Sequence, residues 1–244
     1  EVEASLVFVN GRCVAKDGNL LTFPTATDIP SNMCQTMNVN PLQPVDFKVP
    51  VTGTTVNIST IENPRFTRWG NRLVDVVDGF IKCPADLIMM SIINRFGKNE
   101  PPRVAYLGNW GKWCGAFATT VSHDAHNLTV FGNNEEDMAL AANAVIEAGG
   151  GLAVSSQAQV RAVLALPFAG LISLEPTNQL AKKFCEIRLA MDEIVEWKPP
   201  YLVFKACFGA SLVCNIGPHL SDMGIVDTEN DVTLKDPTGV QNLG

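Results

Sequence analysis

Only two stretches of this 244-residue chain carry a long helical repeat of apolar residues; elsewhere they alternate or cluster in runs of strand length closed by turn-forming pairs. The first helical pattern follows Asn134, a good cap, with Glu135, Glu136 and Asp137 favourable at the positive helix end and Met138, Ala142, Val145 and Ile146 on one face. Gly149-Gly150-Gly151 closes it. The second starts near Pro176-Thr177 and is predicted to run to about Glu196, with Leu180, Phe184, Ile187 and Met191 inward and Pro199-Pro200 as the stop. Residues 201–214 fit helix and strand equally.

The opening residues read as strands. Leu6 to Val9 and Arg12 to Lys16 are separated by Asn10-Gly11, and Asp17-Gly18 leads on towards Phe23, which predicts a three-stranded meander. Residues 24–50 hold five prolines among Thr, Asn and Gln, the composition of a long surface loop or linker. Strand patterns resume at 47–51, 54–61 and 73–82, the last broken at Asp78-Gly79, and a boundary is expected near Cys83-Pro84. Beyond it, residues 87–93, 103–107, 116–120, 128–131, 152–154 and 160–166 read as further strands. The expected fold class is α+β: a small β-rich, sandwich-type region over 1–83, a mixed β-sheet domain layered with helices over 84–227, and a polar, loosely held tail over 228–244.

Composition excludes several roles. With 46% hydrophobic and 18% charged residues the chain can bury a core, and no apolar run reaches the roughly 20 residues of a membrane-spanning helix. A net charge of −7 without a basic stripe argues against a nucleic-acid polymer as partner. Seven cysteines without a C-x-x-C pair suit neither a disulfide framework nor a zinc ribbon and fit a reducing cytoplasm. Glu1 leads almost at once into a strand pattern, as a cut inside a longer polypeptide would.

Reactive side chains are densest in Ser122-His123-Asp124-Ala125-His126-Asn127, which holds two of the three histidines. Imidazole beside carboxylate can ligate a metal, move a proton or hydrogen-bond a heterocycle; a turn satisfied by its own hydrogen bonds is the competing reading. The preceding loop Gly108-Asn109-Trp110-Gly111-Lys112-Trp113 lacks the spacing and the hydroxyl of a phosphate loop, and Trp110 or Trp113 is expected to wall a pocket. His219 could be folded towards the first two histidines or be a surface turn residue.

The segment Thr119 to Gly132, containing His123-Asp124-Ala125-His126-Asn127, resembles the signature A-S-S-V-A-H-D-S-H-N of adenine deaminases. Asn94-Arg95-Phe96-Gly97, Asp137-Met138-Ala139, Gly149-Gly150-Gly151, Leu166 to Ser173, Glu175-Pro176, Lys205 to Ala210 and Gly217-Pro218-His219 follow that family's C-terminal domain in order and spacing. The opening hairpin is similar to the one with which amidohydrolases resume their β-sandwich after the metal-binding barrel. The resemblance implies hydrolysis of adenine to hypoxanthine and ammonia at a binuclear centre of a divalent metal (Mn, Fe or Zn) on an N-terminal amidohydrolase barrel. It also implies a homo-oligomer. The barrel's H-x-H ligands have no counterpart in these residues, so no metal and no independent activity are expected of this chain alone. Ser122, His123, Asp124, His126 and Asn127 are then expected at the catalytic pocket, with Trp110, Trp113 and His219 binding substrate. A free-standing, non-catalytic binding or scaffold module is the alternative.

Overall fold

Asn10 and Gly11 take φ of 49° and 75°, and Asp17 and Gly18 take 48° and 77°, the consecutive left-handed residues of a tight hairpin. They fold β1 (Leu6–Val9), β2 (Arg12–Lys16) and β3 (Asn19–Leu20) into the expected antiparallel meander. The computed structural model describes residues 4–23, 28–34, 36–123, 125–197 and 202–239. It divides into a unit of residues 1–31, which holds the meander, and a unit of residues 32–244.

The second unit is built on β4 (Thr55–Glu62), β5 (Arg68–Val77), β6 (Phe80–Ile81), β7 (Leu87–Ile93) and β8 (Arg103–Gly108), followed by β9 (Lys112–Trp113), β10 (Ala116–Thr119) and β11 (Leu128–Gly132). Next come α1 (Glu135–Glu147), β12 (Gly151–Ser156), β13 (Gln159–Ala165), α2 (Thr177–Ile194), β14 (Val195–Glu196) and α3 (Leu202–Gly209), then β15 (His219–Ser221), β16 (Gly224–Asp227) and β17 (Val232–Leu234). Nine strands make one sheet in the order β13-β12-β10-β11-β7-β8-β4-β5-β6. Its β4–β8 pair is parallel and its other pairs antiparallel.

All seven residues of β7 are buried, because the sheet is covered on both faces. Ile88, Met90 and Ile92 join a core with Ile187 and Met191 of α2 and Val203 and Phe204 of α3. Leu87, Met89 and Ile93 join the opposite core with Met138, Ala142 and Val145 of α1. This is the layered α+β arrangement that the alternation of strand and helix patterns implies. Asn134 caps α1, its Oδ1 accepting from the Asp137 N–H at 2.8 Å. Helix α2 ends at Ile194, short of Glu196, where the chain turns into β14; Phe184 remains 37% exposed, and Pro199 and Pro200 lie outside the described residues. The ambiguous segment after residue 201 forms α3.

Four expectations change. The later part of the proline-rich segment is no free linker: Phe47 is fully buried, Leu42 and Val49 nearly so, and the Asn143 amide binds both the N–H and the C=O of Leu42. The strand expected over 47–51 is reduced to an isolated bridge between Pro50 and Phe80, and Phe47 ends a 3-10 turn over residues 44–47. Nor does the chain divide at Cys83-Pro84, since β4 to β6 and β7 to β13 share one sheet and the compact units separate near residue 31. The tail up to residue 239 is tied down by β17, which pairs with β16, and by the Ser59 N–H donating to the Pro237 carbonyl at 2.7 Å.

Candidate functional site

The run from Ser122 to Asn127 joins β10 to β11, and its described members divide into a buried frame and an open edge. Ser122 is 1% exposed; its hydroxyl shares a 2.7 Å hydrogen bond with Ser211 and accepts from Thr129 Oγ1 at 2.9 Å. His123 anchors through its backbone N–H to the Phe208 carbonyl at 3.2 Å and leaves its imidazole exposed. Asp124 lies outside the described residues. Ala125 and His126 take φ of 48° and 52°, a left-handed turn that non-glycine residues adopt only when surroundings enforce it. Asn127 is completely buried, yet among the described residues neither Nδ2 nor Oδ1 has a hydrogen-bond partner, and the same holds for Nδ1 of the half-buried His126.

The group that binds the backbone of this turn is Arg95, 2% exposed in the segment after β7. Its Nε donates to the His126 carbonyl at 2.5 Å, Nη1 to the carbonyl and hydroxyl of Thr36 at 3.1 and 2.6 Å, and Nη2 to the Ala169 carbonyl at 2.9 Å. Sequence reading passed over Arg95 as a site residue; its one signal was the Asn94-Arg95-Phe96-Gly97 match. Thr36, Ser211 and Thr129 were missed as well, and they carry no pattern of their own.

His123 lines an open cleft of about 380 Å³ together with Arg65, Phe66, Lys205, Asn215 and Ile216, among others. The other expected substrate contacts are placed elsewhere. Trp110 is 2% exposed in the core, stacked 6.0 Å from Phe131 and edge-on to Trp197. Trp113 is 7% exposed, donates from Nε1 to the Trp110 carbonyl and borders a different cleft with Lys112 and Asn133. Large aromatic rings beside glycines serve here as core volume, because Gly111 brings the loop backbone close to the Glu196 carbonyl. His219 is 1% exposed in β15, its Nδ1 2.9 Å from the Gly217 carbonyl, and is not among the residues lining the His123 cleft.

Burial, then the Arg95 charge, then His123 hold His126 below the usual imidazole range, with the Ser122 carbonyl acting in the opposite sense. Its imidazole is therefore neutral near pH 7, able to accept a proton or to hydrogen-bond a heterocycle. Burial likewise lowers His219, against weaker upward effects of the Gly217 carbonyl and Asp227. Among the described residues no group of three or more His, Cys, Asp or Glu side chains could hold a metal ion, so they do not fit a dinuclear centre. No helix among them is long and apolar enough to cross a membrane.

Residues 64–231 match the adenine deaminase C-terminal domain. The chain is 50% identical over 232 residues to adenine deaminase 2 of Rhizobium meliloti, covering 95% of this chain and 39% of that protein. It is 41% identical over 227 residues to an adenine deaminase of Klebsiella pneumoniae (91% and 37%) and 30% identical over 235 residues to one of Clostridium botulinum (93% and 39%). It thus spans about two-fifths of the length of these relatives. With most of its second unit matched, the chain belongs to the adenine deaminase C-terminal domain family.

Proposed function

We propose that this chain is the C-terminal part of an adenine deaminase, which converts adenine and water to hypoxanthine and ammonia, and that it completes the catalytic pocket of a metal-bearing barrel. The observation that carries this reading is the state of His126 and Asn127: three buried polar atoms without hydrogen-bond partners among the described residues, on a turn whose His126 carbonyl is held by Arg95. An unpaired buried polar group costs roughly 1–3 kcal/mol. An imidazole and an amide together offer the donors and acceptors that an adenine edge requires. In this arrangement His123 and His126 meet the purine or the departing ammonia, Ser122 braces the turn through Ser211 and Thr129, and Asn127 supports His126 from behind. Asp124 is assigned to the same pocket by its place in the run.

The divalent metal, Mn, Fe or Zn, belongs to the barrel in this proposal. The chain alone is then inactive. Seven free cysteines suit a reducing cytoplasm, and a homo-oligomer is the proposed assembly.

The test is substitution in the complete enzyme. His123→Ala and His126→Ala should each lower kcat/KM for adenine by roughly 100-fold, the scale of lost proton transfer, with little change in melting temperature. Wild-type activity per folded molecule together with a loss of stability would make the run structural. Sustained release of ammonia from adenine by the isolated chain with Mn²⁺ would overturn the division of labour between chain and barrel.

A further inference from the structure

The guanidinium of Arg95 uses four N–H···O contacts to join three backbone segments that are distant in sequence, at Thr36, His126 and Ala169. All four acceptors are neutral, and Arg95 forms no ion pair with a carboxylate among the described residues. For stability alone this is a poor use of a buried charge, because an apolar side chain of similar volume avoids the desolvation that a buried guanidinium must offset. What the planar fork does supply is direction, several fixed N–H vectors from one rigid group.

The surroundings are cut to that fork. Gly170, at φ 74°, leaves no room for a side chain: an added Cβ would lie 2.9 Å from Arg95 Nη1 and 3.0 Å from Cζ. The Gly170 carbonyl is held in turn by Thr120 Oγ1 at 2.5 Å, one residue past β10, and the Arg95 carbonyl accepts from the Asn38 N–H at 2.8 Å. The shortest of the four guanidinium contacts goes to His126, the second of two consecutive non-glycine residues in left-handed conformation.

We propose that Arg95 is the positioning residue of the histidine run, fixing the His126 backbone so that its imidazole is aimed for the reaction with the buried Asn127 amide behind it. This rests on the reading that the run serves adenine deamination. Two consequences separate positioning from simple support. Lysine, with a point charge and no fork, cannot hold the turn. The guanidinium and His123 are the charged or titratable groups that face His126 among the described residues, and the guanidinium disfavours its protonation, so removing Arg95 makes His126 more basic.

The experiment uses the complete enzyme with Arg95→Lys, Arg95→Ala and, as reference, His126→Ala. Both Arg95 variants are expected to lose roughly 10- to 100-fold in kcat with KM changed much less, the effect of a misplaced catalytic group. Guanidinium ion added at millimolar concentration restores part of the activity of Arg95→Ala and none of that of His126→Ala. The His126 imidazole, followed by NMR titration, moves up by roughly half a unit or more in Arg95→Ala, and the acid limb of kcat/KM moves with it. Wild-type kcat in folded Arg95→Lys and Arg95→Ala, while His126→Ala is crippled, overturns this inference alone. An unmoved His126 titration without guanidinium rescue overturns it too. Undiminished turnover in His126→Ala overturns the underlying site reading instead.

Discussion

Gly108→Ala should destabilise the second unit through a single neighbour, Glu62. Strand β8 pairs with β4 so that Gly108 faces Glu62, and an added Cβ would overlap Oε2 and lie 2.6 Å from Cδ. Moving a carboxylate end aside is cheap when it is free. This one is only 12% exposed and is held by Thr60 Oγ1 at 2.7 Å, Asn109 Nδ2 at 3.1 Å and the Arg72 guanidinium at 3.1 Å. Gly70 closes the other side, leaving Glu62 no second place. Two buried or half-buried hydrogen bonds at roughly 0.5–1.5 kcal/mol each, with a discount for the 42% exposed Arg72, put the cost at about 1–3 kcal/mol. The decisive measurement is a double-mutant cycle by urea titration followed by tryptophan fluorescence. In a Glu62→Ala background Gly108→Ala should cost less than about 0.5 kcal/mol, giving a coupling of about 1–3 kcal/mol. An equal cost in both backgrounds would refute the reasoning and put the strain in the backbone.

Other outcomes follow from burial. His219 is held below its unfolded value of about 6.5, so the unfolded chain binds more protons between the two values. Stability is then full above pH 6.5 and falls as the pH drops towards the folded value. Melting curves between pH 7.5 and 5 should show this decline, and a smaller one in His219→Gln; identical slopes would refute the assignment. Thiol labelling with iodoacetamide at pH 8 should modify exposed Cys114, Cys185 and Cys214 while sparing Cys207, fully buried and pushed up by desolvation, and Cys83, pushed up to about 12 by burial and nearby Glu135 and Asp86. Labelling of native Cys207 at the rate of Cys114 would contradict the packing of α3.

The features legible from sequence are those whose chemistry is local. Asn10-Gly11, Asp17-Gly18 and Asp78-Gly79 announce themselves because few residue pairs tolerate two positive φ values, and all three turns are present. Asn134 and the acidic first turn fixed the start of α1 for the same reason. What stayed hidden depends on partners far along the chain. Prolines and polar residues in 24–50 masked Leu42, Phe47 and Val49, whose burial against α1 no local pattern reveals. Cys83-Pro84 looked like a boundary and is a short connection between strands of one sheet. Arg95 was invisible as a site residue because three of its four acceptors are backbone carbonyls, which have no letter in the sequence.

The bond from the Ser59 N–H to the Pro237 carbonyl, with Ser59 Oγ reaching the Gly239 carbonyl at 3.4 Å, has a consequence for the order of assembly. Strand β4 leaves the ribosome some 180 residues before its last partner, so at about 5–20 residues per second it waits roughly 9–36 seconds for that contact. As it emerges, β4 first settles against β5, the hairpin neighbour made next. The parallel register with β8 and then the tail must be added in sequence, and the tail acts as a latch set last on a sheet whose interior is already formed.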